Sequence, residues 1–286
     1  MSTQITTAFV EQYKSNVLHL AQQKGSRLRD SVRYESVTGK NHFFERIGAV
    51  SAQKRTSRHS DTPRMDSPHS RRRVSMDDYD WADLIDQEDK VRMLITPQSE
   101  YAMAGANAMG RAMDTAIIEA AVGNAYGGVA GGTTIALPSA QKIVHASGGL
   151  TVAKLLSAKE TLDGSDVDAE EERYCVLSAK QVTDLLNTTE IKSSDYNTVK
   201  ALAQGQLDTF LGFKFIRSER LGTDSDGNRQ VTVYCKSGLG LAMGSEIQTR
   251  ISERDDKNYA TQVFLSMTIG ATRVEDEKVV EIACTE

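Results

Sequence analysis

The chain has 286 residues, 39% hydrophobic and 26% charged, with a formal net charge of −5. That balance excludes a wholly disordered chain and leaves enough length to bury a real core, as one large domain or two modest ones. No stretch of eighteen apolar residues and no basic-then-apolar leader is present, so neither a membrane span nor a signal peptide is expected. Cys175, Cys235 and Cys284 are odd in number and far apart. They read as buried thiols of a reducing compartment, the cytoplasm, rather than as a disulfide framework.

In chain order, Phe9, Tyr13, Val17 and Leu20 recur at helical spacing and are closed by Gly25, which predicts a short amphipathic helix over 6–24. "RYESVTGKNHFFERIGAV" alternates and predicts one or two strands. Pro63 and Pro68 exclude helix from the basic stretch that follows. "RRRVSMDDYDWADLIDQED" resumes alternation through Val74, Met76, Tyr79, Trp81 and Leu84, so two extended arms around a polar tip predict a long hairpin.

Thr96-Pro97 opens a helix of about 26 residues, with Met109, Met113 and Ile117 on one stripe and Ala104, Gly105, Ala108 and Ala112 on a smooth flank. A smooth flank suits a helix laid across a sheet. "GNAYGGVAGGTT" reads as a flexible hinge. Beyond it, "LTVAKLLSAKETLDG" and "SAKQVTDLLNTTE", the latter capped by Ser178, are helices, while "RYCVLSA", "FLGFKFIRSERL" and "RQVTVYCKSG" are strands. "GTDSDGN" is expected to join the last two of these strands as a hairpin turn. The C-terminal "NYATQVFLSMTIGATRVEDEKVVEIAC" reads as a long strand, a corner at Gly270 and a short closing strand.

Catalytic and ligand motifs fail on inspection. "GLGLAMG" misplaces the third glycine of a dinucleotide fingerprint, and "GNAYGGVAGG" lacks the Lys-Ser/Thr of a phosphate cradle. "DSDGN" lacks the bidentate Glu of a calcium loop, and the five histidines share no metal-ligand spacing. No Ser sits in a GxSxG elbow. The run 163–172, "DGSDVDAEEE", reads as a solvated acidic loop. No enzyme, no cofactor and no metal are expected.

The basic stretch is the informative one. Lys54, Arg55, Arg58, Arg64, Arg71, Arg72 and Arg73, set against Asp61 and Asp66, leave +5. Directly after it, Asp77, Asp78, Asp80, Asp83, Asp86, Glu88 and Asp89 give −7 without a cation. A nucleic-acid arm gains affinity by releasing counterions from phosphates, and an adjacent anionic strip repels the same polyanion. The tip also has no aromatic residue on which bases stack. A cationic tip beside an anionic base is instead complementary to a second copy shifted by one subunit, and repeated head-to-tail contacts close into rings. Arg suits such pairing because its planar fork grips carboxylates. An inter-subunit interface is therefore expected to use Lys54, Arg55, Arg58, Arg64, Arg71, Arg72, Arg73, Asp77, Asp78, Asp80, Asp83 and Trp81.

With this element order on the page, the chain resembles the major capsid proteins of tailed double-stranded DNA bacteriophages, the Hong Kong 97 fold. "AFVEQYKSNVLHLAQQKGSRLR", "AQKRTSRHSDTPRMD", "DYDWADLIDQEDKVRML" and "DKNYATQVFLSMTIGATRVEDEKVV" carry the likeness. The resemblance implies an α+β, Hong Kong 97-like capsid fold with an N-terminal arm (1–35), an extended β-hairpin loop (36–90) and a peripheral domain with a spine helix (91–144). An axial domain (145–240) and C-terminal strands completing both domains (241–286) follow. It implies assembly of this chain with itself, as hexamers and pentamers, into an icosahedral head built in the host cytoplasm and found in the virion.

Packaged DNA would be touched weakly and without sequence preference, no membrane is involved, and a separate scaffolding protein and a portal are implied partners. Some relatives crosslink a loop lysine; Lys54 lies in that region, yet no partner motif accompanies it, and crosslinking is not expected. The alternatives are an encapsulin-like or gene-transfer-particle shell and, from another class, a DNA-binding protein using the Arg-rich segment 52–73. A shell subunit should have a surface above the ~12,000 Å² of a compact chain of this mass. Residues 40–88 should project from the body, leaving Phe43, Phe44, Ile47, Val74 and Trp81 without an intrachain core, and the N-terminal arm should lie off the body.

Overall fold

A computed structural model describes residues 22–58, 61–62, 65–86, 97–145, 148–187 and 209–285, with side chains of the long helix from residue 100 onward. The chain runs through β1 (Arg33–Ser36), β2 (Asn41–Ile47), β3 (His69–Ser75), β4 (Asp77–Ile85) and helix α1 (Pro97–Val122). The short strands β5 (Ala125–Gly127), β6 (Thr133–Ile135) and β7 (Lys142–Ile143) follow, then α2 (Val152–Gly164), β8 (Arg173–Leu177) and α3 (Ala179–Asn187). Last come β9 (Thr209–Phe210), β10 (Phe213–Arg217), β11 (Arg229–Cys235), β12 (Leu239–Arg254), β13 (Ala260–Arg273) and β14 (Val279–Cys284).

These strands form three sheets: β1-β12-β13-β4, β7-β14-β11-β8-β10-β9, and β2-β3-β5-β6. Helix α1 lies mainly along β13. Its Met109, Met113 and Ile117 are buried in one core with Val263, Leu265, Met267 and Ile269, which alternate along β13 as one face of a strand must. The small flank has its expected use. A Cβ on Gly105 would meet Trp81 and Leu265 within 3 Å, so the glycine lets β4 and β13 approach the helix backbone. In the six-stranded sheet β8 is buried at every position, as an interior strand should be, between antiparallel β11 and parallel β10.

Two anchors fix outlying segments. Asp114, in the middle of α1, accepts from Ser26 Oγ at 2.6 Å, from Leu28 N at 3.1 Å and from Arg27 N at 3.0–3.1 Å, and from the Gln23 amide. Lys154 Nζ donates to the carbonyls of His145, Gly148, Gly149 and Ala283 at 2.7–3.0 Å, tying α2 to the C-terminal strand. Burial pushes the Lys154 ammonium below its usual value, opposed by nearby acidic groups.

Several expectations need correction. The segment 22–36 is not off the body: Leu28 is fully buried, and β1 pairs in parallel with β12. Most of the helix expected over 6–24 lies outside the described residues, and 22–24 are coil. The run "GNAYGGVAGGTT" is a small hairpin, β5-β6, rather than a hinge. "GTDSDGN" is a turn in which Asp224 accepts from Asp226 N and Asn228 N, but β8 separates the strands it joins, so there is no hairpin. Gly270 is no corner. It lies inside β13 where Val74 and Ser75 come so close that a Cβ would meet Ser75 O at 2.3 Å. The acidic run 163–172 is partly paired: Arg173 binds Asp163 at 2.7 Å, Lys278 binds Glu171 at 3.2 Å, and Lys214 binds Glu172.

Candidate functional site

A hairpin is present where the sequence predicts one: β2 and β3 pair antiparallel from Asn41↔Ser75 to Ile47↔His69, and residues 48–58 and 65–68 belong to its tip. Even-numbered residues face the body. Phe44 (1% exposed) and Val74 join Val37, Ala242 and Val274 in a second small core. The Phe44 ring fits because position 240 is glycine; a Cβ there would meet the ring at 2.6 Å. Phe44 and Val74 therefore have an intrachain core, contrary to expectation, because the ribbon base folds onto β12 and β13. Phe43 is half-buried beneath the Arg71 guanidinium, 5.4 Å from its ring centre, while Ile47 at 68% exposure does lack cover.

The predicted cations divide into three groups. Lys54, Arg55 and Arg58 are exposed at the tip, and Arg64 lies outside the described residues. Arg71 and Arg73 are on the ribbon's outer face. Arg71 pairs with Glu45 at 3.2 Å, and Arg73 lies 5.3 Å over the Tyr126 ring of β5. Arg72 is 4% exposed and does not point outward at all. Its Nη2 donates to Asp276 Oδ2 at 2.5 Å, while Asp276 Oδ1 accepts from Arg273 Nε at 2.6 Å. Burial lowers the Arg72 pKa from its ordinary value, with Asp276 opposing the shift. Alternation along β3 is the cause: with Val74 inward, Arg72 must be inward as well.

The predicted anions are not on the ribbon. Asp77, Asp78, Asp80 and Asp83 lie on β4, which pairs with β13 as the outermost strand of the body sheet. Asp77, Asp78 and Asp80 are exposed and Asp83 half-buried; Asp78 accepts from Thr268 Oγ1 at 2.7 Å. Charged side chains on an edge strand disfavour main-chain addition of another strand. Trp81 points inward from β4 onto α1, so it belongs to the core and not to a docking face. Residues 77–85, assigned to the extended loop from the sequence, are thus part of the body.

Sequence reasoning missed Asp276, Arg273, Arg46 and the whole of β12. Arg46 Nη1 donates to Val274 O at 2.8 Å, a second tie at the ribbon base. The only signal for the first two was the i,i+3 Arg–Asp spacing at 273 and 276. Beyond Met243, β12 is exposed almost throughout, so it shows no inward–outward alternation.

The described residues thus form a layered body bearing a ribbon with a buried base and an exposed cationic tip. Comparison with known proteins supplies the family. A family model for the phage capsid protein family matches residues 5–286. The capsid of cyanophage P-SCSP1u has a TM-score of 0.75 at 19% identity, covering 100% of this chain and 96% of that one. The capsid of Ralstonia phage GP4 has a TM-score of 0.75 at 11% identity, covering 96% and 95%. The capsid of a native GTA particle has a TM-score of 0.73 at 11% identity, covering 100% and 98%. No curated protein matches. The chain belongs to the phage capsid protein family. It is a major coat protein of the virion, a structural role, and its copies build the shell.

Proposed function

We propose that the protein is the major capsid subunit of a tailed-phage head with a Hong Kong 97-type architecture, assembling as hexamers and pentamers into an icosahedral shell around double-stranded DNA. In this reading β1-β12-β13-β4 with α1 is the peripheral domain, and the six-stranded sheet with α2 and α3 is the axial domain. The β2-β3 ribbon is the extended loop, and β4 belongs to the periphery. Host cytoplasm is the proposed place of assembly, and a scaffolding protein, a portal and packaged DNA complete the proposed partners. Contact with DNA is weak and general, in the range of roughly 10⁻⁴–10⁻⁶ M usual for non-specific binding.

One observation carries the docking mode. The exposed cations Lys54, Arg55 and Arg58 are at the far end of a ribbon, and the exposed anions Asp77, Asp78 and Asp80 lie on an edge strand of the body. The tip of one copy is proposed to dock on β4 of the next, a head-to-tail contact that closes into rings. Replacing Lys54, Arg55 and Arg58 by Glu tests this by negative-stain microscopy. Shells should be lost while circular dichroism of the subunit is unchanged, and Asp78→Lys with Asp80→Lys should restore them in part. Normal shells from the Glu variant would refute the docking mode.

A further inference from the structure

Arg72, Arg273 and Asp276 form a buried cluster in which two guanidinium groups share one carboxylate, with exposures of 4%, 0% and 8%. Arg273 spends its other donors on carbonyls: Nη1 on Ala121 O at 3.1 Å and Gly123 O at 2.6 Å, Nη2 on Ile135 O at 3.0 Å. Ala121 is in the last turn of α1 and Gly123 lies just past it, where unpaired carbonyls and the helix dipole favour a cation. That offsets part of the surplus positive charge. Arg72 Nε, meanwhile, is buried without a hydrogen-bond partner.

Through these three side chains the ribbon strand β3, the end of the long helix, the β6 strand and the turn after β13 meet at one point. Backbone pairing of β3 with β5 and the Arg46 bond to Val274 O hold the ribbon at two places, but the apolar face between it and β12–β13 does not resist tilting, because the hydrophobic effect has no direction. Charge-assisted hydrogen bonds from planar guanidinium groups are directional. Buried ion clusters of this type often add little net stability compared with apolar substitutes, and their best-attested use is to select one arrangement.

We propose that Arg72, Asp276 and Arg273 act as an orientation lock, holding the base of the ribbon at one angle to the C-terminal end of α1 and so restricting the range of curvatures at which copies of this chain join in hexamers and pentamers. The proposal rests on the capsid reading. The leverage is ample: residues 41–47 span about 23 Å at ~3.3 Å per residue, so a tilt of ~10° at the base moves the far end ~4 Å. A shift of that size exceeds a hydrogen-bond length and puts the tip out of register with its docking strand.

The test uses the full chain with Arg72→Met/Asp276→Asn, which keeps the net charge of these three positions at +1 and an Asn bond to Arg273, leaves the Arg46 tie to Val274 O in place, and removes the guanidinium–carboxylate tie of β3. A second variant, Arg72→Lys, keeps the charge and loses the planar fork. Particle diameters are read by electron microscopy, and amide exchange over residues 42–46 and 70–74 is read on the unassembled subunit. The expected result is wild-type circular dichroism, exchange at least ~10-fold faster in the ribbon alone, and shells of several diameters or open sheets. Arg72→Lys should show the same changes to a smaller degree. A folded variant with wild-type exchange and one wild-type diameter overturns the lock; if the double variant does not fold, Arg72→Lys decides on the same two readouts. Wild-type protein that forms neither particles nor ring-shaped capsomers would count against the capsid reading, while the exchange result would still decide the lock.

Discussion

The two ends of the ribbon differ in nearly every physical respect, although both are rich in arginine. At the base, Arg72 is buried against Asp276, Phe44 fills the space left by Gly240, and Val74 lies over Gly270. At the tip, Lys54, Arg55 and Arg58 are exposed, as are Val50 and Met65. The base therefore answers to the stability of one chain, and the tip, in the proposed docking mode, to the association of many. Arginine count alone does not separate these roles; the strand's alternation does.

Substitutions at the base should be felt before any assembly occurs. Phe44→Ala removes a fully packed ring and should cost the isolated subunit about 3–5 kcal/mol in urea unfolding. Ile47→Ala, three residues on but exposed, should stay within about 0.5 kcal/mol of wild type in the same measurement. Equal losses at the two positions would erase the distinction between base and tip. Gly270→Ala should fall between them, at about 1–3 kcal/mol, because the added methyl group meets the Ser75 carbonyl.

Ionic strength sharpens the comparison from the other side. Between 0.1 and 1 M salt the Debye length falls from about 10 to about 3 Å. Association through exposed tip charges should slow several-fold in light-scattering assays, whereas the urea midpoint of the subunit, governed by buried pairs, should change little. The smallest effect is a reference away from the ribbon. Burial tends to raise the Glu171 pKa, yet hydrogen bonds from Ser237 and Lys278 outweigh it and hold the carboxyl below its ordinary value. Its contribution is therefore present at neutral pH and lost as pH falls through the folded-state value. Glu171→Gln should flatten the acid limb of the stability profile by about 1 kcal/mol or less, with little change to the ribbon.

The order of elements was legible because local rules set it. The Thr-Pro start and Met109/Met113/Ile117 stripe of α1 are instances, as is the alternation of β2, β3 and β13. The partners of those elements were not. Asp77–Ile85 alternates equally well as a ribbon arm or as a body strand, and only pairing with β13, some 180 residues later, distinguishes the two. Gly270 looked like a corner because glycine serves both turns and close approaches. The acidic run 163–172 looked solvated because Lys214 on β10 and Lys278 in the turn before β14 reach it from far along the chain. Of the tip cations, Lys54, Arg55 and Arg58 are exposed, while Arg72 was grouped with its neighbours, though it is buried, because a charge run hides which of its members faces inward.

Lys154 adds a consequence of a different kind. An ammonium held by four carbonyl oxygens at 2.7–3.0 Å has the environment that proteins elsewhere give to potassium or sodium. Here that ion is tied to the chain by a covalent leash. It cannot be diluted away or exchanged as a free ion can, so the tie from α2 to Ala283 on the C-terminal strand does not depend on capturing an ion from solution. This part of a coat protein thus carries its own electrolyte.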